Sequence, residues 1–149
     1  CRVDHLLLGG NATAVAAGLS QARRLGYDAS LGGGGARETA EDVGCRLARA
    51  ALAIAALVRR DGRPRALVEG GEAVVRLPAE HGHGGRPRRA PVADAEVIAN
   101  AARLGLNPAK AAEKYDSGTF LSAAGATIRG GLTGTNVADV RIVTCLPSP

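Results

Sequence analysis

The sequence predicts an α/β fold, a layered domain in which helices flank a mixed, mostly parallel sheet. Short apolar runs bounded by glycine alternate with longer segments whose apolar residues recur every three or four positions. Alternating strands and helices are typical of this class. A chain of 149 residues can bury a substantial core. We therefore expect a single α/β domain over residues 1–149.

A strand–helix–strand unit is predicted first. Residues 5–8 form a short buried strand that ends in a glycine pair, and residues 12–25 have the apolar spacing of a helix. Gly26 suits the end of that helix because glycine tolerates left-handed backbone. Residues 27–31 form the next strand. A unit of this length implies a parallel crossover.

A long helix and two strands follow. Residues 36–60 have helical periodicity, and the glycines at 32–35 before them act as a flexible connector. They do not form a phosphate-binding P-loop, because no Gly-Lys-Ser/Thr follows. Residues 65–68 are predicted as a strand, 69–72 as a turn and 73–77 as another strand.

The remaining residues are predicted as a loop, three helices and a last strand. Residues 78–91 are glycine-rich and basic, hence a surface loop. Helices are predicted over 93–104 and 108–115, with a proline at the start of the second. Residues 117–124 form a short helix or turn, and 137–145 the final strand.

Composition excludes several classes of protein. The longest apolar stretch is too short for a bilayer span. The three cysteines are widely spaced, so we expect reduced thiols and a cytoplasmic location. The net charge of +5 suits a small anion, whereas 2% aromatic residues argue against nucleic acid. Because the sequence starts with Cys1 and lacks Met, we expect it to be cut from a longer polypeptide.

Six short motifs occur in an order that points to one family. They are GARETA at 35–40, EGGE at 69–72, HGGR at 83–86, LGLNP at 104–108, YDSGTF at 115–120 and GLTGTNVADV at 131–140. Together they resemble the C-terminal region of two-lobed glycerate kinases, which carry a MOFRL-type domain. Some members of that family are labelled hydroxypyruvate reductases. The last motif, similar to the family's TGPTGTNVxDL signature, is the most specific, and the MOFRL-like part covers about residues 66–149.

The sequence departs from the family in three places. Pro87-Arg88-Arg89 stands where the family continues Asn-Gln-Glu into a helix, and proline disfavours that helix. The family's acidic Asp-Gly-rich loop and its N-terminal lobe do not occur in this sequence, which leaves open two alternatives: the protein lacks them, or the sequence does not cover them. No GxGxxG follows either early strand, so nicotinamide binding in the usual mode is not expected.

The resemblance implies phosphoryl transfer from Mg-ATP to a hydroxyl of D-glycerate. ATP and magnesium are thus the implied cofactors. The implied partners are a small anionic hydroxy acid and an N-terminal nucleotide-binding lobe, and the resemblance leaves room for a homodimer. On this basis we expect the isolated chain to be inactive. The loops at 84–86, 116–117 and 133–136 would gather at one end of the sheet, where open α/β sheets place their sites.

The candidate site residues fall into two groups. Arg86, whose planar fork suits phosphate or carboxylate, and Glu72, an acid or indirect magnesium ligand, are the catalytic candidates. No direct metal ligand is assigned. The remaining candidates bind substrate through small polar side chains or backbone N–H groups. They are Gly84, Gly85, Asp116, Ser117, Thr133, Gly134, Thr135 and Asn136.

Each candidate also has a purely structural interpretation. The 133–136 segment can be a turn into the last strand, Glu72 part of a tight turn, Asp116 a helix cap, and Arg86 one arginine on a solvated loop. A non-catalytic anion-binding or interaction module that kept the fold therefore stays open as the alternative. Nucleic-acid binding through the arginines at 86, 88 and 89 rests on charge alone.

Overall fold

The computed structural model describes Asp4 and residues 9–34, 37–82, 89–130 and 138–148. The predicted strand at 5–8, and its pairing, lie outside these residues.

The chain folds as two compact units. The first combines Cys1–Val75 with Thr135–Pro149, and the second is Arg76–Gly134. Within the described residues the elements are, in chain order, α1 (Asn11–Arg24), β1 (Asp28–Leu31), α2 (Ala40–Asp61), β2 (Arg65–Gly70), β3 (Arg89–Pro91), α3 (Ala95–Arg103), α4 (Pro108–Glu113), α5 (Ser117–Ala123), β4 (Thr127–Arg129) and β5 (Val140–Cys145).

The first unit contains a sheet with strand order β1-β2-β5. Strand β1 runs parallel to β2, with Asp28 opposite Arg65, and α2 forms the crossover between them. Strand β5 runs antiparallel to β2, with Gly70 opposite Val140. Helix α1 packs against β1 and β2, while α2 packs against β5 and β2. The predicted α/β layered fold, with helices flanking a mixed sheet, is confirmed, with one parallel and one antiparallel pairing among the described strands of this sheet.

The faces of β2 differ in character. A Cβ at Gly18 of α1 would lie 3.3 Å from Val68 Cγ1, so the Val68 face packs on α1. Val68 and Ala66 on this face are almost fully buried. Because side chains alternate along a strand, Glu69 points to the other face, towards α2. The glutamate thus enters the interior beside a helix rather than solvent.

Helix α2 is bounded by capping residues at both ends. Thr39 Oγ1 accepts a hydrogen bond from the Asp42 backbone N–H at 3.1 Å, and Gly62 ends the helix at φ 67°. Its first turn is acidic and its last turn basic, which suits the helix dipole. The predicted start at residue 36 is therefore wrong: the helix begins at Ala40 because Thr39 takes the N-cap position.

Three further predictions for this region need correction. Glu69 and Gly70 belong to β2 rather than to a turn, because they pair with β5. The predicted strand at 73–77 is reduced to one bridge between Thr39 and Val74. The predicted loop at 78–91 ends in β3, which pairs antiparallel with β4.

The described residues of the second unit form the helices α3, α4 and α5 and the β3–β4 pair. Its buried core consists of Val97, Ala101, Ala124 and Ala126, with Leu106, Phe120 and Leu121 packed against it. Asp94 and Asn107 cap α3 and α4 by accepting backbone hydrogen bonds. The predicted helices of this region are confirmed with shifts of a few residues at their ends. In the described parts of both units, no helix combines the length and apolar character that a membrane span requires.

Candidate functional site

A buried carboxylate lies near the carboxyl end of β2. Glu69 is 1% exposed, and among the residues that the structure describes no other charged residue is buried. Arg46 donates through Nη1 to Glu69 Oε2 at 2.6 Å and through Nη2 to Oε1 at 3.1 Å. Arg141 Nη1 donates to the same Oε1 at 3.1 Å. A buried charge is costly unless it is paired in this way.

A second carboxylate, that of Glu38, offsets the positive charge of the two arginines. Arg46 Nε and Nη2 donate to the two oxygens of Glu38 at 3.0 and 2.8 Å. These hydrogen bonds, and those to Glu69 above all, raise the pKa of Arg46 above its ordinary value. Hydrogen bonds from Arg46, and then from Arg141, hold the pKa of Glu69 below its ordinary value against the opposing effect of burial. We call Glu38, Arg46, Glu69 and Arg141 the ion cluster.

The glycines after β1 make room for this cluster. A Cβ at Gly32 would lie 2.7 Å from Glu69 Oε2, and one at Gly34 would lie 3.6 Å from Arg46 Nη2. The Gly32 N–H donates to the Val68 carbonyl at 2.8 Å. The segment predicted as a flexible connector therefore packs closely against the ion cluster at two of its glycines.

The turn after β2 joins the cluster to the start of β5. Arg141 Nη2 donates to the Gly71 carbonyl in a short hydrogen bond. The Gly71 N–H donates to the Asp139 carbonyl at 3.1 Å, and Asn11 Nδ2 donates to the same carbonyl at 2.9 Å. Gly71 has φ 126°, which disfavours a side chain. Asp139 stands two residues after the 131–137 segment, which lies outside the described residues, and these bonds hold Asp139 at the carboxyl end of β2.

A second close approach occurs in the second unit. The Gly82 N–H donates to the Lys114 carbonyl at 2.7 Å. A Cβ at Gly82 would lie 2.5 Å from the Cβ of Asp116. Asp116 Oδ1 in turn accepts a hydrogen bond from the Thr119 hydroxyl at 2.8 Å. The chain two residues before Gly84 thus runs directly against Asp116.

The predicted site residues are distributed over both units. Glu72 is exposed and follows Gly71 in the first unit; Asp116 is half-buried and Ser117 exposed in the second. Asp116 occupies the N-cap position of α5, but its carboxylate binds Thr119 rather than a backbone N–H. The other candidates lie outside the described residues: Gly84, Gly85, Arg86, Thr133, Gly134, Thr135 and Asn136.

The ion cluster is not predicted from the sequence. Its pattern predicts a turn at Glu69 and assigns no role to Arg46 or Arg141. The alternation in β5 indicates where Arg141 lies. Arg141 stands between Val140 and Ile142 and therefore shares a face of the strand with Val143. Ile142, the apolar neighbour, points outward and is 56% exposed. Hydrophobic patterning alone would have assigned the faces the other way round.

Two solved structures share this fold. A glycerate kinase from Thermotoga maritima is 22% identical with a TM-score of 0.81, and the match covers 95% of this chain and 41% of that one. A protein from Pyrococcus horikoshii OT3 is 22% identical with a TM-score of 0.78, covering 99% of this chain and 41% of that one. At this identity the likeness establishes the fold. The chain spans about two-fifths of the length of either structure.

Sequence comparison adds no family assignment. No protein-family model matches the chain, and no curated protein matches it significantly.

Proposed function

We propose that this chain is the substrate-binding part of an ATP-dependent glycerate kinase that works with an N-terminal lobe. The fold shared with a glycerate kinase over 95% of the chain supports this, as does the order of the six sequence motifs. Residues 66–149 would be its MOFRL-like part. The observation that carries the proposal is the shared acceptor at Asp139, which receives hydrogen bonds from both Gly71 and Asn11.

That acceptor matters because Asp139 closely follows a donor-rich segment in the sequence. The TGTN segment, residues 133–136, offers hydroxyl, amide and backbone N–H donors, which suit the carboxylate or phosphate oxygens of a hydroxy acid. Asp139 itself is held beside Gly71 at the carboxyl end of β2, the kind of edge where open α/β sheets bind ligands. Thr133, Gly134, Thr135 and Asn136 would bind the substrate there.

Phosphoryl transfer requires positioning and charge neutralisation more than covalent chemistry. Mg-ATP, when bound, would supply the phosphoryl group and part of the neutralising charge. Arg86 would bind the transferring phosphate or the substrate carboxylate bidentately. Glu72 and Asp139 are exposed carboxylates on either side of the Gly71 turn and fit the preference of Mg²⁺ for oxygen ligands.

The second unit would contribute through its own loop. Gly82, two residues before Gly84 in the sequence, lies against Asp116. Backbone N–H groups of Gly84 and Gly85 and the Ser117 hydroxyl would bind anionic oxygens. A cytoplasmic location, expected from the widely spaced cysteines, and a homodimer, for which the resemblance leaves room, are further parts of this proposal.

The test is ADP formation with Mg-ATP and D-glycerate, by the chain alone and with an N-terminal lobe supplied. We expect turnover only when the lobe is present. Thr135→Val and Asn136→Ala should each weaken glycerate binding, measured by calorimetry, while Thr144→Val on the exposed side of β5 should not. Unchanged affinity in both loop variants would remove the loop from the site.

The alternative is a non-catalytic module that binds small anions. Pro87-Arg88-Arg89 favours it, because this segment replaces residues that continue into a helix in the glycerate kinases that the motifs resemble. Glycerate binding without ADP formation, even with the lobe present, would identify this module.

A further inference from the structure

Helix α2 carries a mostly apolar stripe on the side that faces away from the sheet. Side chains three and four positions apart lie on one face of a helix. By this spacing one face contains Glu41, Cys45, Ala48, Leu52, Ala55 and Arg59, which we call the outer stripe. Ala55 is half-buried and the other members are exposed, whereas Val43, Ile54 and Val58, which point inward, are buried. The outer stripe is therefore apolar between two charged ends.

Leu52 lies near the middle of the outer stripe. It is 72% exposed, more than any other large apolar side chain among the described residues. A surface helix ordinarily presents charged and polar residues to water on the side away from the core. An exposed apolar patch rimmed by charged residues, here Glu41 and Arg59, is typical of an interaction surface.

The charges at the ends of α2 indicate what covers this surface. The first turn is acidic, with Glu41 and Asp42, and the last turn is basic, with Arg59 and Arg60. A second α2 packed antiparallel would place each acidic end beside a basic end, whereas a parallel one would bring like charges together. The surface is therefore electrostatically complementary to itself in the antiparallel direction.

The outer stripe is also placed symmetrically about residue 50. In an antiparallel pair centred there, Glu41 of one copy faces Arg59 of the other, and Leu52 faces Ala48. The protruding side chain thus meets a small one, and the distance between packed helices depends on the side chains at the contact. Charge, size and spacing agree on a single register.

We propose that the outer stripe of α2 is the interface with a second copy of this chain, in an antiparallel pair. Arg49, which borders the stripe near its middle, keeps its charge in solvent through its long side chain. The inference rests on the homodimer that the proposed function includes, and it is independent of the kinase activity. A helix of 22 residues is about 33 Å long, so one helix pair forms a small interface and a weak dimer.

Sedimentation velocity of the whole chain over a range of concentrations measures this dimer. Leu52→Gln is the primary variant, because an exposed leucine contributes little to the fold of one copy. Leu25→Gln is the matched control, since Leu25 is 65% exposed at the end of α1. We expect Leu52→Gln to raise the dissociation constant at least about tenfold and the control to leave it unchanged. An unmodified chain that stays monomeric at millimolar concentration would overturn the inference.

Exchanging the charges tests the antiparallel direction. Glu41→Arg and Arg59→Glu should each weaken the dimer, because each places like charges opposite one another. The double variant should restore it. Both substitutions oppose the dipole of α2, so an effect on helix stability alone would make the double variant associate least. That result would overturn the antiparallel pair.

A disulfide tests the register. Cys45 of one copy faces residue 55 of the other, so Ala55→Cys should form disulfide-linked dimers when oxidised glutathione is added. Cys1→Ser and Cys145→Ser accompany it, because Ala55 and Cys145 line the same groove. Ala53→Cys, at an exposed position of α2 outside the outer stripe, is the control and should not crosslink. Equal crosslinking of the two variants would contradict the register.

The N-terminal lobe is the competing occupant of this surface. If adding the lobe dissociates the dimer, and Leu52→Gln weakens binding of the lobe, the surface belongs to the lobe and the inference is overturned. ADP formation is measured separately. Turnover by a monomer would overturn the dimer and leave the proposed function intact, whereas a dimer without turnover would support the interface and refute the kinase.

Discussion

The two ends of β2 carry the same chemistry in opposite settings. At its start, Arg65 binds Asp61, four residues earlier, in a pair whose carboxylate is 29% exposed, and Arg65 Nε also lies 3.6 Å from Asp28 Oδ2. At its other end, Glu69 binds arginines 23 and 72 residues away and is closed off from solvent. The first pair is a local clamp on the turn between α2 and β2. The second ties together a helix, a central strand and the strand that follows the candidate loop.

The largest expected difference between the ends is in stability. Glu69→Ala would leave Arg141 without its carboxylate in a buried setting, and breaking a buried ion pair costs about 3–5 kcal/mol. Asp61→Ala should cost far less, because exposed pairs contribute little. Urea denaturation of both variants measures the two free energies of unfolding. Equal losses would refute the distinction between the ends.

A glycine beside the buried end gives the next largest effect. Gly32→Ala places a Cβ 2.7 Å from Glu69 Oε2 and should lower the free energy of unfolding by about 1–3 kcal/mol. Gly33→Ala is the control, because no atom lies within 4 Å of its Cβ position. Thermal unfolding of the two variants provides the comparison. If Gly32→Ala unfolds at the same temperature as the unmodified protein, the ion cluster can shift to make room for the added methyl group.

Lowering the pH should weaken the stabilising ion pairs at both ends of β2. The pKa of Glu69 lies below its ordinary value of 4.5 and that of Asp61 below 3.8, because each accepts hydrogen bonds from arginine. The unfolded chain therefore binds more protons than the folded one as the pH falls below about 5, and stability declines. Unfolding measured from pH 7 down to pH 3 should show a shallower decline in Glu69→Gln. An identical slope in that variant would contradict the lowered pKa of Glu69.

The smallest expected difference between the two ends of β2 is in the salt dependence of their ion pairs. Exposed pairs are screened at high ionic strength, whereas buried pairs are screened much less. Double-mutant cycles for Arg65 with Asp61 and for Arg141 with Glu69 are compared at low and high sodium chloride. We expect the coupling between Arg65 and Asp61 to shrink in salt more than that between Arg141 and Glu69. If salt reduced the coupling of Arg141 with Glu69 more than that of Arg65 with Asp61, solvent would have access to Glu69.

This contrast also explains what the sequence could predict. The helices, their caps and the final strand follow from local patterns such as Thr39 before α2 and Gly62 after it. The exposed clamp is local too. The ion cluster is not, because Glu69 looks like a turn residue until pairing with Val140 and Arg141 extends β2 past it. The candidate site residues Glu72 and Asp116 are predicted from motif resemblance, whereas the arrangement of their neighbours Gly71 and Gly82 depends on tertiary contacts.

The insertion of the second unit between β2 and β5 has a consequence for synthesis. Glu69 leaves the ribosome with Arg46 already made, but Arg141 comes 72 residues later. At typical translation rates that interval is about 4–14 s. The nascent first unit must hold a half-neutralised carboxylate and an incomplete sheet for that time, while every residue of the second unit emerges before β5. The inserted unit is therefore free to fold first, and the first unit, although its synthesis starts earlier, is completed last.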